Sequence, residues 1–239
     1  IYLHFVATRQ SRWTWNIGRF VDFLHNGLLA TLTQVDQALL LKKAQIVHFK
    51  AGDVLGTPDT SVPQVFFLTR GAVALFVRKS AKQPNEGVAV GLVGSEGALG
   101  LQWALGLGAG NLTLLVQSPG TAYVVDGLAL QQLIERKSTL LLAFSKYLWS
   151  AYKNVSTFAT MAHLSDVKVR LAHWLVVSAK CCAPDPLVIT HAHIAQMLGV
   201  RRASITLAAR EMKMQGVIAY SRGYIEIKKP EALQRLANG

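Results

Sequence analysis

Residues Thr190–Tyr224 read THAHIAQMLGVRRASITLAAREMKMQGVIAYSRGY, and the rest of the chain is best interpreted outward from them. Thr190 is a good helix N-cap. Ile194, Ala195 and Leu198 then recur at helical spacing until Gly199, a residue free to take the left-handed conformation that ends a helix. A second helix is expected from Arg201 to Gln215. It keeps Ile205, Ala208, Ala209 and Met212 on one stripe and leaves Arg201, Arg202, Ser204, Thr206, Arg210 and Lys213 mostly on other faces. Gly216 stops it. Val217–Tyr220 and Tyr224–Ile227 then flank Ser221-Arg222-Gly223, a turn with glycine where a positive φ is needed. Helix, glycine turn, arginine-led helix and hairpin in that order predict a winged helix-turn-helix. An amphipathic helix pair with a merely solvated basic face is the alternative, and the joint occurrence of the cues at fixed offsets weighs against it.

A helix that enters the DNA major groove needs side chains near its N-terminus that reach base edges, and donors that fix the protein on phosphates. Arg202 is the expected base reader, since a guanidinium can bind guanine O6 and N7 together, a pairing worth about 1–3 kcal/mol of discrimination. Ser204 and Thr206 are expected to add contacts. Arg201, Thr190, His191, Arg210 and the wing's Arg222 are placed as phosphate binders. Charge agrees with this placement. Of the chain's +12, residues 166–239 carry 11 Lys and Arg against 5 Asp and Glu, the densest excess in the sequence.

The run from Thr190 to Ile227 resembles the DNA-binding domain of the Crp/Fnr family of bacterial transcriptional regulators, with Ile194-Ala195-Gln196-Met197-Leu198-Gly199-Val200 matching the first helix and turn. Val65–Gly71 and Val93–Gly100 resemble pieces of that family's β-roll sensor, so the resemblance covers residues 20–232. It implies an α+β chain: an N-terminal β-roll of the cyclic-nucleotide-binding-like jelly-roll type, a long dimerisation helix and a C-terminal winged helix-turn-helix. It also implies a cytoplasmic homodimer that binds double-stranded DNA, works with RNA polymerase, and is not an enzyme. The sequence departs from the family pattern after the reading arginine. Where the best-known members have a glutamate and, further on, an arginine, this chain has Ala203 and Leu207, so its operator should differ from the familiar one.

Family members that bind cyclic nucleotides hold the phosphate with a Gly-Glu segment, a short helix N-terminus and a downstream arginine. Gly94–Leu99 resembles the first part, which makes Glu96, Gly97, Ala98 and Leu99 the candidate effector pocket. The arginine is missing, because no Lys or Arg stands between Lys82 and Arg136. Without that cation the strongest charge-assisted contact to a phosphate is lost, so no cyclic nucleotide and no cofactor is predicted, and the effector stays unnamed. Leu99, Leu101, Trp103, Leu105 and Leu107, interspersed with glycines, read either as plain core or as the lining of an apolar cavity.

Residues 1–19 read as an irregular extension or cloning remnant, 20–137 as the β-roll with flanking helices, 138–164 as the dimerisation helix and 165–239 as the DNA-binding domain. In the roll, β-rich runs around Thr69-Arg70-Gly71 and around Ser118-Pro119-Gly120 read as strand pairs. Leu141, Phe144, Leu148, Ala151, Val155, Phe158 and Ala162 repeat at alternating steps of three and four, the seam of a parallel coiled coil, or else the face of a helix lying on its own roll. Leu164-Ser165-Asp166 is the expected hinge, with Ser165 capping the next helix.

Other chemistry finds little support. Cys181 and Cys182 are adjacent, too few for a four-cysteine cluster, and the seven histidines show no metal-ligand spacing. No nucleophile elbow or paired carboxylates stand in a persuasive setting, and no run of about 18 uncharged apolar residues suggests a membrane span. A signal-binding module whose C-terminal domain mediates protein–protein interaction is the rival reading.

Overall fold

The computed structural model describes residues 22–59, 63–80, 83–108, 110–183, 187–221 and 223–239. The extension at residues 1–19 and the wing arginine Arg222 lie outside the described residues.

The chain enters through two helices, α1 (Gly27–Ala30) and α2 (Gln34–Lys43). Asn26 caps α1. Its buried amide also donates to the carbonyls of Leu68 and Gly97, each at 2.7 Å, and so ties the helix to the sheet. A buried amide with every donor used is a strong local anchor.

Six antiparallel strands follow: β1 (Gln45–Phe49), β2 (Val54–Gly56), β3 (Gln64–Ser80), β4 (Gln83–Val93), β5 (Ala98–Leu99) and β6 (Thr113–Asp126). Their order is β1-β6-β3-β4, with β2 attached to β6 and β5 to β3. The runs read as strand pairs about Thr69-Arg70-Gly71 and Ser118-Pro119-Gly120 are instead the halves of two long strands. β3 and β6 pair with each other from Gln64↔Asp126 to Phe76↔Thr113, with register shifts near Arg70 and Ala72. Both strands bend at the same place. Gly71 takes φ +89°, and a Cβ on Gly120 would lie 2.0 Å from the carbonyl oxygen of Arg70, so two glycines let the bent backbones meet.

A short helix, α3 (Leu101–Ala104), lies between β5 and β6. After β6, α4 (Gly127–Arg136) is capped by Asp126, and the extended Lys137 separates it from α5 (Ser138–Leu164), a helix of 27 residues. Thr139 near the start of α5 donates to Asp36 at 2.7 Å, and Asp36 also accepts from Thr33. Between α5 and α6 (Val167–Cys182) the cap is Asp166, whose carboxylate accepts from the Val169 amide. Ser165 does not cap α6. Its hydroxyl turns back to the Met161 sulfur, 3.3 Å away.

Three apolar clusters hold these layers together. One lies between the sheet and the helices α1, α2, α4 and α5, where Phe23 meets Tyr123 edge-on at 5.0 Å. A second fills the roll with Phe49, Phe66, Leu68, Val116 and Val124. The third joins Ala72, Phe76 and Leu92 of β3 and β4 to Leu171, Trp174 and Leu175 of α6, and runs on into the C-terminal helices. The C-terminal half is therefore packed on the sheet rather than tethered beside it.

Candidate nucleic-acid interface

Thr190 accepts from the His193 amide at 3.1 Å and starts α7 (His191–Leu198). Gly199 ends it at φ +64°, after which α8 (Arg202–Met214) begins with Arg201 in the cap position. Ile194, Met197, Ile205, Ala209 and Met212 are buried between the two helices and α6. Arg170 of α6 donates to the Leu198 carbonyl, and Lys168 pairs with Glu211 at 3.2 Å. These contacts fix the angle at which α8 is presented. β7 (Ile218–Ser221) and β8 (Tyr224–Ile227) form the wing, and Leu187 adds a single antiparallel bridge to Ile225. A last helix, α9 (Pro230–Asn238), buries Leu233 and Ala237 in the same core. Pro230 at its first position and Leu233, Leu236 and Ala237 at helical spacing were the signals for it.

Arg201, Arg202, Thr206 and Arg210 are exposed. Arg202, Thr206 and Arg210 succeed one another at four-residue steps and therefore form one line along α8. Lys213 extends it. Ser204 is half-buried and sits roughly 200° around the helix from Arg202, so it does not share that line. The Thr206 hydroxyl donates to the Arg202 carbonyl at 3.0 Å and lies 3.4 Å from Nδ1 of His191, which brings the start of α7 to the middle of α8. His191 in turn meets Tyr220 edge-on at 4.8 Å. Tyr220, on the wing, was not singled out from sequence, because only the folded hairpin carries it to α8.

Burial, and then the charge of Arg202, pushes the His191 imidazole below its ordinary pKa, so the ring is held toward its neutral form. Burial alone does the same to His193, whose Nε2 is buried without a hydrogen-bond partner.

The four effector-pocket residues do not gather into one site. The Glu96 carboxylate folds back to accept from the Gly94 amide at 2.9 and 3.1 Å, and faces a cleft shared with His173, Lys180 and Cys181. Gly97 backs onto Tyr147, whose hydroxyl donates to the Ala98 carbonyl at 2.9 Å. A Cβ on Gly97 would lie 2.3 Å from that hydroxyl. Ala98 and Leu99 look the other way, into a cavity between the roll and α5. Leu101 and Trp103 join them there, whereas Leu107 is exposed and Leu105 does not line the cavity.

The seam residues of α5 are also divided. Phe144 is buried beside Phe67, and Phe158 packs edge-on against Trp174 at 5.8 Å. Leu148, Ala151 and Val155 are half-buried and border the cavity, while Leu141 and Ala162 are exposed. Trp149 and Tyr152, 61% and 63% exposed, stack on each other at 5.5 Å on the outward side.

Cys181 and Cys182 are buried at the end of α6 and are not joined in a disulfide, and the Cys182 sulfur lies 3.1 Å from the Ser118 hydroxyl. Among the described residues no helix is long and apolar enough to cross a membrane.

Residues 169–236 match the model of the Crp-like helix-turn-helix domain. No curated protein matches the chain in sequence. Among solved structures, FixK2 from Bradyrhizobium japonicum is similar with a TM-score of 0.68 at 12% identity, over 81% of this chain and 96% of that one. A CRP-family transcriptional regulator from Thermus thermophilus gives 0.66 at 15% identity, over 81% and 97%. The c-di-GMP-responsive global regulator CLP of Xanthomonas campestris gives 0.63 at 14% identity, again over 81% and 97%. Residues 169–236 are thus a Crp-like helix-turn-helix domain, and the chain has the α+β fold of the Crp/Fnr transcriptional regulators.

Proposed function

We propose that this chain is a sequence-specific DNA-binding transcriptional regulator that acts as a homodimer and carries a β-roll sensor. The observation that carries the reading is the exposed line Arg202, Thr206, Arg210 and Lys213 on α8, held out from a buried face by α6 and α7. A convex helix with donors along one edge fits a major groove, and its N-terminal Arg202 is placed to read guanine. Thr190, His191, Arg201 and Arg210 serve the phosphates, and Ser204 plays a smaller part because it is half-buried. In the dimer, two copies of α5 meet along the helix and set the two reading helices about 34 Å apart, one turn of DNA. The division at 20–137, 138–164 and 165–239 follows from this reading, with Leu164-Ser165-Asp166 as the joint where the reading heads turn. RNA polymerase is the expected protein partner.

The rival draws on Leu207 and Met214, which are 61% and 72% exposed on α8 and would suit a protein partner. Arg202→Ala separates the two readings. Wild type should prefer sites selected from random duplex, and the variant should lose that preference by roughly 5- to 150-fold, the equivalent of about 1–3 kcal/mol. Equal binding of selected and random duplex by both proteins would sink the DNA reading.

A further inference from the structure

The cavity between the roll and α5 has a volume of about 410 Å³, within the range of roughly 300–1,000 Å³ typical of small-molecule sites. Phe66 and Leu75 of β3, Leu99 of β5 and Leu114 of β6 form one side, Trp103 of α3 joins the lining, and Val155 of α5 lies opposite the sheet. None of the described lining residues is Asp, Glu, Lys, Arg or His. The polar side chains that reach it are few, and the hydroxyl of one of them, Tyr147, is already used on the Ala98 carbonyl.

Three readings compete for this space. The space is a cleft open on one side to solvent, so its size is a matter of shape between the roll and α5 rather than looseness of the core. Water in it is loosely held, because Thr57, Gln64, Gln102 and Tyr152 supply few polar partners along mostly apolar walls, and a guest that displaces it gains apolar contact. An anion would give up its hydration with no cation to receive it, because the sequence has no Lys or Arg between Lys82 and Arg136 and Tyr147 fills the ground beside Gly97. What remains is a guest that gains from apolar walls and asks for one or two hydrogen bonds.

We infer that the cavity binds a neutral, largely apolar small molecule, and that Gln64 or Gln102 meets its single polar group. This deepens the sensor reading above and rests on it. The guest would touch α5 from Tyr147 to Val155, the same stretch whose outward side carries the Trp149–Tyr152 stack.

The test uses the full chain and the neutral fluorophore N-phenyl-1-naphthylamine. One saturable site per chain is expected, emptied by 1-decanol and not by cyclic AMP at the same concentration. Leu75→Trp, and from the helix side Val155→Trp, should each weaken the probe at least tenfold while far-UV circular dichroism stays unchanged. In wild type, which needs no folding control, 1-decanol should raise the melting temperature. Absence of saturable binding, displacement by cyclic AMP as readily as by 1-decanol, or full affinity in folded filled variants would each overturn the inference. DNA binding is measured separately: a chain that binds selected DNA without taking up the probe refutes the cavity alone, and the opposite result refutes the DNA reading alone.

Discussion

Lys213 holds its ammonium 4.8 Å from the centre of the Tyr220 ring, so the far end of α8 and the wing share a cation over an aromatic face. That distance lies within cation–π range. Because Lys213 continues the line of Arg202 and Arg210, the proposed reading makes it a further phosphate contact, steadied by the Tyr220 ring. Lys213→Ala should weaken binding to selected and random duplexes alike and lower the salt slope by about one, as expected for a lost phosphate contact. A change confined to selected sites, seen in salt-dependent fluorescence anisotropy, would contradict this.

Leu207 stands exposed on α8, and Ala203 precedes it by one turn on the same side. An apolar pair on a groove-facing helix fits thymine methyl groups. Replacing thymine by deoxyuridine in a selected site should cost wild type several-fold in affinity at one or two positions. Leu207→Ala should weaken binding to the thymine site and be indifferent to the replacement. If the two changes add without coupling, the contact is absent.

Neighbouring positions of α5 should behave in opposite ways. Phe144 is buried within its own chain, so Phe144→Ala should lower folding stability by about 3–5 kcal/mol, read by denaturant unfolding. Trp149→Ser with Tyr152→Ser should leave the fold intact and shift the sedimenting species toward monomer. Unchanged dimer mass at low micromolar concentration would remove these two residues from the interface.

Three histidines predict an acid-sensitive fold. His173, His191 and His193 are all pushed below their ordinary pKa, in each case first by burial. The unfolded chain therefore takes up protons on these groups before the native one does, and stability rises with pH through the interval below about 6.5. The melting temperature should be level above neutrality and fall as pH drops from about 6.5 toward 5. His193→Gln should flatten part of that fall, and an unaltered slope would show that His193 does not contribute.

Local signals account for most of what the sequence made legible. Thr190, Gly199, Gly216 and the glycine turn each mark a cap or reversal within a few residues, and α7, α8 and the wing lie where these marks put them. The long helix was equally readable from its seam over 141–162. Long-range geometry was not. Gly71 and Gly120 look like turn residues in isolation, and only their meeting across β3 and β6 makes them the shared bend of two continuous strands. The division of Glu96 and Gly97 from Ala98 and Leu99 likewise depends on Tyr147, about fifty residues away in sequence. A heptad pattern reports apolar spacing without naming what covers it, so Phe144 and Phe158 entered the seam although the chain's own sheet and α6 take them.

The core that joins Ala72, Phe76 and Leu92 to Leu171, Trp174 and Leu175 makes the helix-turn-helix domain a poor candidate for life on its own. Cut free before α6, it would carry a bare oily flank where the sheet had been, prone to self-association. The sheet and α8 are thus joined by shoulder-to-shoulder side chains as well as by the covalent path through Ser165.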